Sequence, residues 1–160
     1  MDKQQLFVKM ALNAWEANVK RASALFNNFT DEELFQEVAP GKNRVIYLLG
    51  HLIAVHDMML PLLGLGERQY LKLDEAFISN PDKLIKELSS PGELRTYWIN
   101  INDILLSRFN SLSPDEWFQK HVMISDEDFV KEPHRNRLSV LISRTNHLAY
   151  HLGQVVLVKK

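Results

Sequence analysis

Two histidines stand four residues apart near the end of the sequence, in the segment NHLAYHLGQ at residues 146–154. In a helix with about 100° per residue, His147 and His151 lie about 40° apart around the axis, and Gln154 lies about 20° to the other side of His147. The apolar arc of the same helix centres roughly 130–140° from His147. The three polar side chains therefore form one stripe that borders the core, and the two imidazoles could share a metal at ~2.0–2.1 Å from each nitrogen.

Two imidazoles alone make a weak metal site, so a third ligand is required. The best candidate is His51, in the segment LLGHLIAVHDMM at residues 48–59, because it also borders a dense apolar face of its helix. Gly50, directly before it, would permit close approach of a neighbouring helix. The alternative is that two histidines fall four residues apart by chance and that Gly50 marks only helix crowding.

The other histidines are weaker candidates. His56 lies about 140° from His51 on the same predicted helix, so both can hardly reach one metal. His121 and His134 fall in predicted loops and are expected to be solvated. His134, which is close to the start of the last helix, is the better placed of the two to approach a pocket.

Arg144 lies about 60° from His147 and about one turn before it, between the histidine stripe and the apolar arc. A guanidinium in that position could bind a carboxylate of a substrate or of a thiol cofactor. The alternative is an ion pair with a neighbouring helix, or a side chain that reaches past apolar surface into solvent.

Composition limits the classes of protein that this chain can belong to. Its 160 residues are 46% hydrophobic and 24% charged, which is typical of a soluble globular protein, and we predict one domain over residues 1–160. There is no cysteine, so a metal must be held by histidine and carboxylate. The net charge of −1, with 19 basic and 20 acidic residues interspersed, argues against a nucleic-acid partner.

The start of the sequence is amphipathic and charged, unlike the apolar centre of a signal peptide. We find no stretch that approaches the ~18 apolar residues of a membrane span. The sequence therefore predicts a cytoplasmic protein that does not contact a membrane.

The spacing of apolar residues predicts an all-α protein, an antiparallel four-helix bundle. The four long helices are expected at about residues 4–28, 43–63, 91–112 and 137–158. A short helix is predicted at residues 81–88, within a connecting segment at 67–90, and capped turns are predicted at Thr30 and Ser113. Residues 119–136 are predicted to form a loop.

The second long helix carries a second apolar face, formed by Ile46, Ile53 and Leu60 at seven-residue steps, roughly 180° to 220° from His51. An apolar face of this size is expected to be buried against another helix or another chain. Either a second copy of the chain forms a homodimer there, or the 67–90 segment covers it.

The glycine-histidine pair of the second helix and the pattern His-x-x-x-His-x-Gly-Gln of the fourth resemble the DinB-like family. These metalloproteins include bacillithiol transferases and the metal-binding half of mycothiol-dependent maleylpyruvate isomerase. The specific match is confined to GHL at residues 50–52 and HLAYHLGQ at residues 147–154. The resemblance implies an up-down-down-up four-helix bundle with a longer crossover between helices two and three.

The resemblance also implies one divalent metal, zinc or nickel, held by three histidines. By position these are His51, His147 and His151, the three that helical geometry selects, with Gln154 in a supporting role. Homodimers are common among such proteins. Many relatives carry an acidic residue where this chain has His56.

Three protein ligands leave a coordination position open, as in catalytic zinc sites. Such a metal could activate water, which would make the protein a hydrolase, or bind a thiol as thiolate, which would make it a thiol S-transferase. The resemblance favours the transferase, with a low-molecular-weight thiol as co-substrate and a small-molecule substrate. A metal that only ties two helices together, without catalysis, is the third possibility.

Overall fold

The computed structural model describes residues 2–86 and 89–159, which are mostly helical and contain no strand. Two short 3₁₀ helices, Glu33–Phe35 and Leu71–Leu73, lie in the connections. The α-helices of the described residues are α1 (Lys3–Asn27), α2 (Val45–Leu62), α3 (Asp74–Phe77), α4 (Pro91–Ser111), α5 (Pro114–Trp117), α6 (Asp126–Lys131) and α7 (Arg137–Val155).

Side-chain caps set the start of three of the long helices. Asp2 and Gln5 form a capping box at α1, and Ser90 forms another with Glu93 at α4, where proline occupies the first helical position. The side chain of Asn136 accepts a hydrogen bond from the backbone of α7. These helices begin within one residue of the predicted starts, because the capping signals are local in sequence.

Aromatic contacts show that α1 and α4 run antiparallel. Trp15 contacts Phe109 with ring centroids 5.8 Å apart, and Phe26 contacts Trp98 at 6.0 Å. The residues that come later in α1 therefore meet residues that come earlier in α4. The predicted up-down-down-up order of a four-helix bundle requires further pairings and stays a prediction.

Helix α2 lies at the centre of the protein. By length and by its mean hydropathy of 1.6 it could cross a membrane, so the prediction that no stretch approaches a membrane span was wrong. However, 72% of that stretch is buried within the protein, and a core helix accounts for its apolar character. Ile46, Ile53 and Leu60 are at most 1% exposed, so the chain itself covers the second apolar face. A homodimer gains no support from this face and stays a prediction.

The connection between α2 and α4 is tied to α2 by buried charge. The carboxylate of Asp57, which is fully buried, accepts hydrogen bonds from the side chain of Arg68 and from the backbone N–H groups of residues 69 and 70 at 2.7–2.9 Å. At the other end, Asp82 accepts hydrogen bonds from the guanidinium and the backbone of Arg44. The described part of the crossover is therefore held against α2 near both of its ends.

The short helix predicted at residues 81–88 is wrong where the structure describes it, because residues 81–86 form turns. Lys83 has a φ angle of 72°, which a right-handed helix excludes. The side chain of Asn80, which directly precedes this segment, donates to a backbone carbonyl earlier in the chain and does not cap a helix at residue 81. Residues 87 and 88 of this prediction lie outside the described residues.

The loop predicted at residues 119–136 is also wrong in part, because it contains α6. Ser125 caps this helix by accepting a hydrogen bond from the backbone N–H of Asp128, and acidic residues fill the first turn. The sequence does contain a capping pattern for this helix, Ser-x-x-Asp at residues 125–128. No amphipathic apolar pattern follows it, so the pattern alone did not predict a helix. Helix α7 ends at Val155 rather than at Val158, whose N–H bonds back to the carbonyl of Val155 in a turn.

His56 is fully buried between the rings of Trp15 and Trp98, with centroids 4.6 and 5.0 Å from its own. Its Nδ1–H donates to the side-chain carbonyl of Asn102 at 2.9 Å. Burial lowers the pKa of His56 to about 3, although the bond to Asn102 acts in the opposite direction. His56 is therefore neutral at pH 7 and acts as a packed core residue.

The first prediction concerns the pH dependence of stability. Below about pH 6.5 the unfolded chain protonates His56 while the folded chain keeps it neutral down to about 3, so the folded state loses stability as the pH falls through that window. In His56→Gln a side-chain amide can still donate to Asn102 but does not titrate. Urea titrations between pH 4 and 6 should show a slope of unfolding free energy against pH that is lower than in wild type by up to about 1.4 kcal/mol per unit. Equal slopes would show that His56 is not held neutral.

Candidate metal centre

The structure brings together His51 from α2 with His147 and His151 from α7. One ring nitrogen from each lies within 4.8 Å of the other two. The Nε2 atom of His147 is 3.3 Å from Nε2 of His51 and 3.0 Å from Nε2 of His151. All three side chains are half-buried, so the cluster lies at the edge of the core as the helical geometry predicts.

Hydrogen bonds on the far side of two rings settle which nitrogens carry protons. Nδ1 of His51 lies 2.9 Å from the backbone carbonyl oxygen of Phe77, and Nδ1 of His151 lies 2.8 Å from Oε1 of Gln154. Because these oxygens can only accept, each Nδ1 must donate. In the neutral rings Nε2 then presents a lone pair, and both lone pairs are directed towards Nε2 of His147. Nitrogens arranged in this way require a proton or a cation between them.

The cluster fits a divalent metal. Two imidazole nitrogens bound to one tetrahedral metal at ~2.0–2.1 Å are roughly 3.3 Å apart, close to the two observed separations. Histidines that bind metals usually donate their other N–H to a carbonyl or carboxylate, as His51 and His151 do here. Imidazole ligands suit zinc and nickel. Metal binding by these residues stays a prediction.

The three imidazoles are kept neutral by their surroundings. Burial lowers the pKa of each, and it lowers the pKa of His147 to about 4 with help from His151, His51 and the nearby guanidinium of Arg144. The Phe77 carbonyl partly offsets this effect at His51. Because protons compete with a metal for imidazole nitrogen, lowered pKa values keep the ligands available at neutral pH.

Gly50 explains how the Phe77 carbonyl reaches His51. A Cβ atom at Gly50 would lie 2.5 Å from the ring of Phe77, which is 1% exposed and cannot move away cheaply. Only glycine lets that ring lie against α2. The sequence predicted a close approach at Gly50, but it missed Phe77, because α3 lies in a segment without clear periodicity.

The remaining histidines lie outside the cluster. His56 is buried, with its Nδ1 bonded to Asn102. His121 accepts a hydrogen bond from the backbone of Met123 on an exposed segment. His134 is exposed and lines a cavity beside α1, in line with the expectation that it approaches a pocket.

Two cavities lie at opposite ends of the histidine stripe on α7. The first, which we name the Gln154 cavity, has a volume of about 250 Å³. It is lined by Val38, Ala39, Lys42, Asn43, Gln154 and Leu157. The second, the Arg144 cavity, has a volume of about 320 Å³. It is lined by Met58, Pro61, Leu62, Arg68, Val122, Met123 and Arg144.

Fold and site together define a helical protein in which two long helices bring three histidines together at the border of the core. This chain belongs to the DinB superfamily, whose family model matches residues 14–155. The resemblance carried by the GHL and HLAYHLGQ segments is therefore confirmed at the level of the family.

The fold has a counterpart among solved structures. The chain is similar to a conserved protein of Enterococcus faecalis, with a TM-score of 0.64 and 18% sequence identity over 99% of this chain and 95% of that one. At this identity the similarity shows the fold alone. Among curated proteins, no sequence matches this chain.

The second prediction tests the cluster directly. Protein purified without a histidine tag should hold one divalent ion per chain in elemental analysis, and His51→Ala should hold less than about a tenth of that amount, because two imidazoles make a weak site. The matched control is His134→Ala, which removes an exposed histidine outside the cluster. Failure of both wild type and control to hold stoichiometric metal would contradict the site.

The third prediction concerns Gln154, which accepts the Nδ1–H of His151. Gln154→Ala removes that acceptor and should weaken zinc binding by about 10–100-fold in a competitive chelator titration. Gln154→Glu keeps an acceptor and adds negative charge, so it should bind at least as tightly as wild type. If both variants lose affinity equally, the hydrogen bond is not what orients His151.

Proposed function

We propose that the protein binds one divalent metal ion, zinc or nickel, through His51, His147 and His151, and that it is a metal-dependent thiol S-transferase. Its substrates would be a small molecule and a low-molecular-weight thiol. The observation that carries the proposal is the convergence of three Nε2 atoms, two of them with lone pairs set by hydrogen bonds on Nδ1. The family assignment supports it.

His51, His147 and His151 would hold the divalent ion, and an ion held by three imidazoles would leave one position open and would supply the chemistry that lowers the pKa of a thiol. The role of the protein residues is to hold the three ligand nitrogens in place and to orient them. The Phe77 carbonyl and Gln154 keep the Nε2 atoms of His51 and His151 directed inward, and the lowered pKa values keep these rings from being protonated. The thiol proton passes to solvent, sulfur forms the new bond to carbon, and the leaving group departs with the electron pair of its own bond.

The two cavities favour a transferase over a hydrolase. A transferase must hold two organic substrates next to the same centre, whereas a hydrolase needs room for one together with water. Arg144 and Gln154, each of which lines one of the two cavities, lie at the two ends of one stripe, about 15 Å apart along the axis of α7. We infer that each cavity holds one substrate and that the two reacting groups meet at the histidines between them.

The proposal includes a particular arrangement of the whole chain. The four long helices form an up-down-down-up bundle, with a longer crossover between the second and third of them at about residues 67–90, and the protein acts in the cytoplasm as a homodimer. The antiparallel pairing of α1 with α4 supports this order. The antiparallel pairing of α2 with α7 also supports this order. His51, in the first half of α2, contacts His151 near the end of α7. Gly64, just after α2, lies close to the guanidinium of Arg137 at the start of α7, 3.6 Å from the position that a Cβ atom would occupy.

The fourth prediction separates the possible functions. Zinc- and nickel-loaded protein should accelerate the conjugation of monochlorobimane with at least one of cysteine, coenzyme A, glutathione or bacillithiol. The rate should fall to background in His51→Ala and stay unchanged in His134→Ala. Metal-dependent hydrolysis of 4-nitrophenyl acetate without conjugation of any thiol would replace the transferase by a hydrolase. Metal-loaded protein that is inactive in both assays would favour a metal that only ties α2 to α7.

A further inference from the structure

The Arg144 cavity has an apolar wall with a cationic group at one end. Its apolar side chains come from two sides, from the end of α2 and from the segment that follows α5. Met58, Val122 and Met123 are 37%, 63% and 76% exposed, so these side chains are open to solvent. The cavity volume of about 320 Å³ suits a small organic molecule rather than a macromolecule.

Arg144 supplies charge to this cavity that the described residues leave unmatched. Its side chain is half-buried, and within the described part of the chain its guanidinium makes no hydrogen bond or ion pair. Burial alone lowers its pKa, without an opposing carboxylate. A guanidinium that loses water without gaining a partner is costly, and a bound carboxylate would offset that cost.

The second arginine of the cavity, Arg68, is different. Its guanidinium binds the carboxylates of Asp57 and Asp74, at 2.8 Å to each and at 2.5 Å in a second bond to Asp74. Two carboxylates therefore more than neutralise Arg68, which offers no positive charge to a ligand and serves as part of the wall. The positive charge open to a ligand comes from Arg144.

The position of Arg144 orients any anion that binds it. Arg144 precedes His147 by about one helical turn, whereas Met58 and Leu62 lie about two and three turns beyond His51 along α2. The charged end of the cavity therefore lies nearer to the histidines than its apolar end does. Arg144 is close enough to lower the pKa values of His51 and His147.

We propose that the Arg144 cavity binds a small carboxylate with an apolar tail, with the carboxylate on the guanidinium of Arg144 and the tail along Met58, Leu62 and Met123. This assignment rests on the proposed function for its chemical meaning, since it defines the electrophilic substrate. The carbon that accepts sulfur then lies next to the carboxylate, as in a carboxylate with a leaving group on carbon 2. Thiolate sulfur bonds to that carbon while the leaving group departs with its electron pair.

The fifth prediction measures binding without activity. Protein carrying ¹³C-methyl methionine, both metal-free and zinc-loaded, is titrated with hexanoate, with hexan-1-ol, which has the tail without the charge, and with acetate, which has the charge without the tail. Hexanoate should shift the methyl signals of Met58 and Met123 at millimolar concentration and bind about tenfold more tightly than either relative. Met59, which is buried, and Met10, on α1, should not shift.

Variants locate the charge that is recognised. Arg144→Gln should reduce hexanoate affinity to that of hexan-1-ol, and Arg144→Lys should retain part of the preference, because a lysine keeps the charge but loses the bidentate geometry. Arg108→Gln, which removes an exposed arginine on α4, should change nothing. The unshifted Met59 signal reports whether each variant is folded.

Three results would overturn the proposal. These are equal affinity for hexanoate and hexan-1-ol, no shift at Met58 or Met123, or hexanoate binding that Arg144→Gln leaves unchanged. Hexanoate binding to the metal-free protein is measured independently of metal content and of thiol transfer. Failure of the transferase assay with intact hexanoate binding would reject the proposed reaction and keep the anion site.

Discussion

The hydrogen bond from Nδ1 of His51 to the backbone carbonyl of Phe77 links the site to the fold. It exists because Gly50 lets the Phe77 ring lie against α2, where any Cβ would collide with it. The same contact packs α3 onto the central helix, so that the core and the orientation of His51 depend on one close approach. Local packing and ligand geometry are therefore not separable at this point of the molecule.

Helix α2 combines an apolar composition with the buried or half-buried side chains of His51, His56 and Asp57, and each of these is hydrogen-bonded to a different part of the chain. His51 is met by the Phe77 carbonyl and by α7, His56 by Asn102 of α4, and Asp57 by the start of the crossover. Burying such groups without partners would be costly. Their partners thus specify how α4, α7 and the crossover are placed around α2. A membrane-spanning helix of similar hydropathy would have no comparable reason to carry them.

The sequence predicted features that depend on local spacing and missed those that depend on distant partners. The stripe of His147, His151 and Gln154 follows from helical periodicity, and the edge position of His51 follows in the same way. The Phe77 carbonyl could not be predicted, since any residue type supplies a carbonyl. The failed helix at residues 81–86 has a similar cause, because Asp82 pairs with Arg44, which is distant in sequence.

The two ends of the histidine stripe differ in their chemistry, and this difference bears on how one centre could handle two substrates. At one end Gln154 is neutral and already engaged, with its oxygen on His151 and its nitrogen on the hydroxyl of Tyr150. At the other end Arg144 carries a charge that no described carboxylate matches. A bound divalent ion would add to the positive potential beside Arg144, so an anion is favoured there by both charges. Under the proposed reaction a neutral or cationic substrate would gain nothing from these two charges, so the Arg144 end would favour the substrate that carries a carboxylate.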